Sequence, residues 1–231
     1  MTQTIKLSSF YARMGMLLIV LVIAGFAPFV FQRLQSGGTM GLALAGHTVS
    51  YMGWCFLFLV QAGLVAGKNI KLHMTLGKSS LALALVMVVT AVLVTQQSFD
   101  RGSSGGTPFS PEHFIMLPVM DVLLFVGFYA AGMIKRKQAL THKHIMLFAG
   151  IMMLDPATGR LGLALGLPPL GLLFHFAVVA LVWVHDRKTD GAAHTVTKWA
   201  TLLLVVRYGL FFTVGFTDAW AAFAHMLFGA A

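Results

Sequence analysis

Most of this chain consists of apolar runs long enough to cross a membrane, and this restricts the folds it can adopt. Roughly 20 apolar residues span the hydrocarbon core as a helix. Backbone N–H and C=O groups find no water there, so a spanning segment has to satisfy them internally. The chain is 58% hydrophobic and 10% charged, whereas a soluble domain has about 25% charged residues. The sequence therefore predicts an all-α, polytopic membrane helical bundle.

Seven apolar runs are separated by polar stretches, and together they indicate one transmembrane domain over residues 1–231. The predicted spans lie near 14–31, 41–66, 79–95, 113–134, 143–165, 169–184 and 197–215. We expect the amphipathic tail, 216–231, to lie along the membrane surface. The charged stretch 186–198 is predicted to be a solvated connector.

The basic residues lie mostly on one side of these spans. Twelve of the 16 Lys and Arg fall in the N-terminal segment, in the loops after spans two, four and six, or at the span ends beside those loops. Cytoplasmic loops carry such an excess. We therefore predict seven transmembrane helices in a bacterial inner membrane, with the N-terminus inside and the C-terminus outside. A signal peptide is the alternative for the first span, although its apolar run is longer than usual for one. The same bias explains the net charge of +9, so we predict no nucleic-acid partner.

Six ionisable side chains fall inside the predicted spans, where burial of charge is costly. Such groups are ordinarily paired, turned inward and tied to function. At about 1.5 Å of rise per residue, they occupy a layer from the outer third of the membrane to its midplane. They are Asp121, Asp155, Arg160, Arg207, His47 and His175. The layer predicts an outward-biased polar pocket.

The aspartates and arginines of this layer can pair in more than one way. In one arrangement, Asp121 pairs with Arg207 and Asp155 pairs with Arg160. The sequence does not choose between this pairing and another. Pro156 follows Asp155 directly, and a proline removes a backbone donor and kinks a helix. Broken helices often build binding sites in membrane proteins.

A polar and aromatic stripe runs along the second span. His47, Tyr51, Trp54, Phe58 and Gln61 share one helical face at spacings of three and four residues. A stripe of this kind suits the wall of a ligand or cofactor site. Ordinary helix packing with a few buried hydrogen bonds is the alternative interpretation.

Histidines on spans two to five alternate between the outer and inner sides, at His47, His73, His113 and His144. This layout resembles that of membrane b-type cytochromes of the b561 kind, in which paired helix histidines hold two haems. The resemblance covers positions only. It implies haem b held by His47 with His175 or His113 on the outer side, and by His73 and His144 on the inner side.

Three functions follow from these patterns. The first is a redox protein that binds haem b, with a quinone as a candidate partner. The second is a transporter or receptor that holds a small polar or anionic ligand against the intramembrane arginines, with the aspartates as counter-ions or proton carriers. The third is an enzyme or sensor with a transition metal at His47 and His175. The chain also fits a subunit of a larger membrane complex. The stretch 142–162 resembles a segment of uncharacterised bacterial multi-pass membrane proteins, which implies no function.

Overall fold

The computed structural model describes the backbone of residues 2–229 and the side chains of residues 10–229. Within that range all the regular structure is helical, which confirms the predicted all-α class. The helices are Thr2–Gln35 (α1), Leu42–Ala66 (α2), Ile70–Asp100 (α3), Pro111–Phe114 (α4), Met116–Ile134 (α5), Ala139–Met152 (α6), Asp155–Ala164 (α7), Pro169–Asp190 (α8), Thr195–Thr213 (α9) and Asp218–Phe228 (α10). Six segments of the described chain are long and apolar enough to cross a membrane: α1, α2, α3, α4 together with α5, α8 and α9.

The predicted fifth span, 143–165, is divided into α6 and α7. Pro156 is the reason, because it has no backbone N–H to continue the hydrogen bonds of α6 and is accommodated only in the first turn of a helix. The carbonyl of Ile151 instead accepts from Leu154 N at 3.0 Å. It also accepts from the ring of His175 on α8, at 2.8 Å from Nε2. The break therefore exposes a carbonyl that a histidine of another helix satisfies.

Helix α6 is the most enclosed part of the bundle. It contacts α1, α2, α5, α8 and α9, and half of its residues are buried. Leu147, Phe148, Ile151 and Met152 are fully buried in it. A helix of 14 residues is shorter than a membrane span, and α6 is instead surrounded by other helices.

Helix α1 lies along α6 and then along α7 in the same direction. Leu18 packs on α6, where a Cβ added to Gly150 would lie 3.0 Å from Leu18 Cδ1. Gly25 follows Leu18 by seven residues, and Ala157 follows Gly150 by seven. Gly25 packs on Ala157 of α7, and a Cβ on Gly25 would overlap the Ala157 carbonyl. Because the spacing between the two contacts is seven residues in both segments, α6 and α7 run beside α1 in the same direction as α1.

Helices α7 and α8 are held together through glycines. A Cβ on Gly171 would lie 2.7 Å from Gly159 Cα, and a Cβ on Gly162 would lie 2.7 Å from Gly171 N. Small residues at these positions let the two backbones touch. This contact brings the start of α7 beside the middle of α8, where the polar side chains meet.

The described part of the predicted tail forms α10, which packs over the ends of two other helices. Trp220 Nε1 donates to the carbonyl of Glu112 at 2.8 Å. Gln96 Nε2 donates to the carbonyl of Phe228 at 2.7 Å. Residues 230–231 of the tail lie outside the described residues.

We predict that Gly25→Ala and Gly63→Ala change stability in opposite directions. An added methyl group at position 25 has to displace the backbone of α7, which costs about 1–3 kcal/mol of unfolding free energy. Position 63 also lies in a helix, but has nothing within 4 Å of an added Cβ. There the gain in helix propensity of up to about 1 kcal/mol dominates. Thermal unfolding of the two variants in detergent checks this, and a Gly25→Ala protein as stable as the wild type would contradict the close α1–α7 contact.

Candidate functional site

The side chain of Arg207, on α9, is the centre of a buried charge network. Its Nη2 lies 2.6 Å from Asp121 Oδ1 on α5 and 3.1 Å from Asp155 Oδ2 on α7. Its Nε also donates to Asp121 Oδ1, at 2.7 Å. Arg207 is 1% exposed, and a charge at that depth requires partners of this kind. One guanidinium therefore joins three helices.

The structure selects one of the pairings that the sequence left open. Asp121 pairs with Arg207 as one arrangement predicted, but Asp155 also pairs with Arg207 and not with Arg160. The reason is helical phase, because five residues along a helix turn a side chain by about 140°. Arg160 instead donates from Nη1 to the carbonyl of Pro156 at 3.1 Å.

A second chain of hydrogen bonds leads from Asp155 to α8. The hydroxyl of Tyr208 donates to Asp155 Oδ1 and also lies 2.9 Å from His175 Nδ1. The other ring nitrogen of His175 donates to the carbonyl of Ile151. His175 is fully buried, and both of its nitrogens are used within the protein.

With its groups in their ordinary states, this chain has two protons for three contacts, so all three can be hydrogen bonds only if it holds one more. A carbonyl can only accept, so His175 Nε2 carries a proton. The Tyr208 hydroxyl has a single proton for its two neighbours. If it donates to Asp155, His175 Nδ1 has to be protonated and donate to Tyr208. If it donates to His175, Asp155 has to be protonated instead. In either case, the three contacts are all hydrogen bonds only when the side chains share one additional proton.

Several polar atoms of this layer are buried without a hydrogen-bond partner in the described part of the chain. They are Asp121 Oδ2, Arg207 Nη1, Arg160 Nε and His47 Nδ1. Tyr51 is near enough to Asp121 to interact with it electrostatically. Buried polar atoms are normally satisfied, so these atoms are available to bind water or a solute.

The predicted stripe on α2 divides into two parts. The rings of His47 and Tyr51 are 4.3 Å apart and belong to the polar layer. Trp54 packs in the core, edge-on to Phe125 at 4.9 Å, and Phe58 is likewise buried in an apolar cluster. The ligand-wall interpretation therefore fits His47 and Tyr51, and the helix-packing alternative fits Trp54 and Phe58.

Two of the five predicted haem ligands use both ring nitrogens in hydrogen bonds. His175 does so as described above. His144 contacts the carbonyl of Leu140 through Nδ1 at 2.9 Å and Asp186 Oδ1 through Nε2 at 2.9 Å. Haem iron needs a free ring nitrogen on each ligand, and neither residue offers one in this arrangement.

The other three predicted ligands lie apart. His73 is beside His142, with ring centroids 6.5 Å apart, and His113 Nδ1 is 2.7 Å from Ser110 Oγ. His47 is on α2 beside Tyr51. No ring contact joins two of the five within residues 10–229. Among those same side chains, no group of three or more His, Cys, Asp or Glu is placed to hold a metal ion. Gln61, the remaining predicted site residue, has a buried Oε1 without a partner.

A second polar cluster lies near the start of α9, where the sequence predicted a solvated connector over 186–198. That prediction is wrong for Asp186, which is fully buried. Its Oδ2 accepts from Thr197 Oγ1 at 2.6 Å and from His194 N at 3.0 Å. His194 stacks on His144 with centroids 4.2 Å apart. Burial and the neighbouring His144 lower the pKa of His194.

Sequence reasoning missed Tyr208 and Asp186. Tyr208 follows Arg207 directly, but tyrosine is common in membrane helices and its sequence position carries no distinguishing signal. Asp186 precedes Arg187 and Lys188 and therefore has the appearance of a surface charge run. A deeply buried carboxylate can be recognised only from the helices packed around it.

The apolar helices and the enclosed ion pairs are those of a polytopic α-helical membrane protein with an intramembrane polar site. No protein-family model, no curated protein and no solved structure matches this chain. The chemistry of the site is therefore the basis for assigning a function.

We predict that Arg207→Gln destabilises the protein more than Asp121→Asn does. Removing the arginine leaves two buried carboxylates without their cation, which costs about 3–5 kcal/mol. Asp121→Asn leaves the ion pair between Arg207 and Asp155 intact, and should cost only about 1–3 kcal/mol. Unfolding in detergent provides the measurement, and Arg101→Gln, in an exposed turn, is the control. Equal losses for the two buried substitutions would show that Arg207 does not hold both carboxylates.

Proposed function

We propose that this protein is a proton-coupled transporter that moves a small polar or anionic solute across a bacterial inner membrane. The Asp155–Tyr208–His175 chain, whose three contacts can accommodate one additional proton, supports this proposal most directly. Ionisable residues inside transporters commonly relay protons. Because the proton has two alternative positions, on the carboxylate or on the imidazole, it can move between α7 and α8 without a large displacement of either helix.

The charge of the layer supports coupling between a proton and a solute. Asp121 and Asp155 together balance Arg160 and Arg207, so the four side chains sum to zero. The shared proton brings the layer to a net charge of +1. A net charge is expensive in a low-dielectric interior. An anion that enters with the proton restores neutrality, and each therefore increases the affinity of the site for the other.

The packing of α1 supports the predicted topology of seven crossings with the N-terminus inside. Helices α6 and α7 run beside α1 in the same direction. If α1 crosses the membrane, α6 and α7 therefore cross it together as one segment. They then add a seventh crossing to the six apolar segments. The asymmetric distribution of basic residues places the N-terminal end in the cytoplasm. Helix breaks at membrane depth are accepted where they are buried in protein, as the start of α7 is.

Substitution of Tyr208 tests transport most selectively. We expect Tyr208→Phe to reduce pH-gradient-driven uptake at least about tenfold, because it removes the hydroxyl that joins the two proton positions. The measurement uses proteoliposomes and a panel of radiolabelled carboxylates, amino acids and inorganic phosphate. Tyr129→Phe is the matched control, since its hydroxyl bonds to Ser80 Oγ at 2.9 Å in another part of the core. The proposal fails if no solute of the panel enters, or if Tyr208→Phe retains gradient-driven uptake.

Cysteine labelling tests the topology. In a Cys55→Ser background, a cysteine at Leu167, which is exposed, should react with an impermeant maleimide in intact cells. A cysteine at Gly191 should react only after the cells are opened. If α6 and α7 do not cross, both results are reversed. The pattern at these two positions therefore distinguishes seven crossings from six.

Haem b and a transition metal remain predictions from the sequence. The hydrogen bonds at His144 and His175 give them less support than the proton chain gives to transport. A Soret band in the visible spectrum of the purified protein would restore the redox hypothesis. Stoichiometric metal in an elemental assay would restore the metal hypothesis.

A further inference from the structure

We infer that Arg160 and His47 form a binding site for a monocarboxylate, enclosed by α1, α2 and α7. This inference rests on the proposed transport function and names the class of solute. Neither residue belongs to the proton chain. The two side chains are close enough to interact electrostatically, and each has a buried nitrogen without a hydrogen-bond partner.

Arg160 has no carboxylate within salt-bridge distance among the described side chains, although Asp155 acts on it electrostatically. A guanidinium carries five N–H donors, and the hydrogen bond that Arg160 makes goes to the carbonyl of Pro156. The aspartate on the same helix, Asp155, is already engaged, because its Oδ1 accepts from Tyr208 and its Oδ2 faces Arg207. A carboxylate for Arg160 therefore has to come from a ligand.

Aromatic rings on α1 pack near this guanidinium. Its carbon lies 4.6 Å from the ring centroid of Phe26 and 5.4 Å from that of Phe29. A ring over a guanidinium stabilises the cation through its face and leaves the N–H groups directed outward in the guanidinium plane. Arginine binds carboxylates through that edge, with two parallel hydrogen bonds.

His47 adds a second polar group to the same site. Its ring leans on Tyr51 at 4.3 Å between centroids, which fixes its position on α2. Depending on its tautomer, its unpartnered Nδ1 can donate to a carboxylate oxygen. In the proposed site, the arginine on α7 and the histidine on α2 contact one anion from two helices.

Charge and shape favour a monocarboxylate over phosphate. The layer with its shared proton has a net charge of +1, which one negative charge neutralises and two would overcompensate. A planar carboxylate matches the edge of a single guanidinium. The apolar rings of Phe26 and Phe29 provide no hydrogen bonds for the additional oxygens of a phosphate.

Binding of radiolabelled benzoate to the full-length protein in detergent tests this site. We expect saturable binding that is tighter at about pH 6 than at about pH 8, because the proton and the anion each increase the affinity of the site for the other. Unlabelled benzoate should displace the label, whereas benzamide, its neutral analogue, should not. Inorganic phosphate should displace less label than benzoate does at the same concentration.

Two substitutions of Arg160 and one control determine which residue holds the anion. Arg160→Gln should weaken benzoate binding at least about tenfold. Arg160→Lys, which keeps the charge but loses the planar fork, should have an intermediate effect. Arg101→Gln should bind like the wild type. If Arg160→Gln does not fold, Arg160→Lys and benzamide competition still provide the test.

The inference is overturned if the wild type shows no saturable benzoate binding, or if folded Arg160→Gln binds as tightly as the wild type. It is equally overturned if benzamide or phosphate competes as well as benzoate. This equilibrium assay involves no flux. Benzoate binding without gradient-driven uptake would reject the transport proposal and support the binding site. Uptake without benzoate binding would support transport and reject the binding site.

Discussion

The ion pairs of Arg207 with Asp121 and Asp155 are the interaction on which the arrangement of this bundle depends. Burying the guanidinium of Arg207 without negative partners would be very costly. The two carboxylates that pair with it come from α5 and α7. The ion pairs therefore fix the relative depth and rotation of α5, α7 and α9. The remaining polar groups of the layer are positioned relative to this centre, because Tyr208 adjoins Arg207 and contacts Asp155 as well.

The proline break is what connects this centre to the proton chain. Helix α6 ends before Pro156, and the carbonyl of Ile151, which would accept from Asp155 N in a continuous helix, accepts from Leu154 N and His175 instead. That bond fixes which nitrogen of His175 carries a proton, and it leaves Nδ1 facing Tyr208. The glycine contacts between α7 and α8 keep these groups within hydrogen-bond distance. A local feature of the backbone thus sets the protonation chemistry of the site.

Much of the fold was predictable because hydropathy and charge are local properties of a sequence. The apolar runs indicated helices, and Asp121 with Arg207 was one of the pairings considered. The second partner of Arg207 was not predictable, since the neighbours of Asp155 depend on how α7 packs in the bundle. Asp186 was assigned to a loop because its neighbours are basic, and its burial depends on α6, which is distant in sequence, and on how the start of α9 packs beside α8.

The sequence by itself determined the helical class, the membrane character and the set of ionisable residues that had to be enclosed. These follow from the cost of exposing backbone and charge to hydrocarbon, which acts on each segment separately. Only the tertiary structure decided which charges meet. Asp121 and Arg207 are 86 positions apart in the chain, and their contact depends on helix order, rotation and the break before α7. The tertiary structure likewise placed Asp155 against Arg207, because helix packing, and not sequence spacing, decides which side chains of different helices meet.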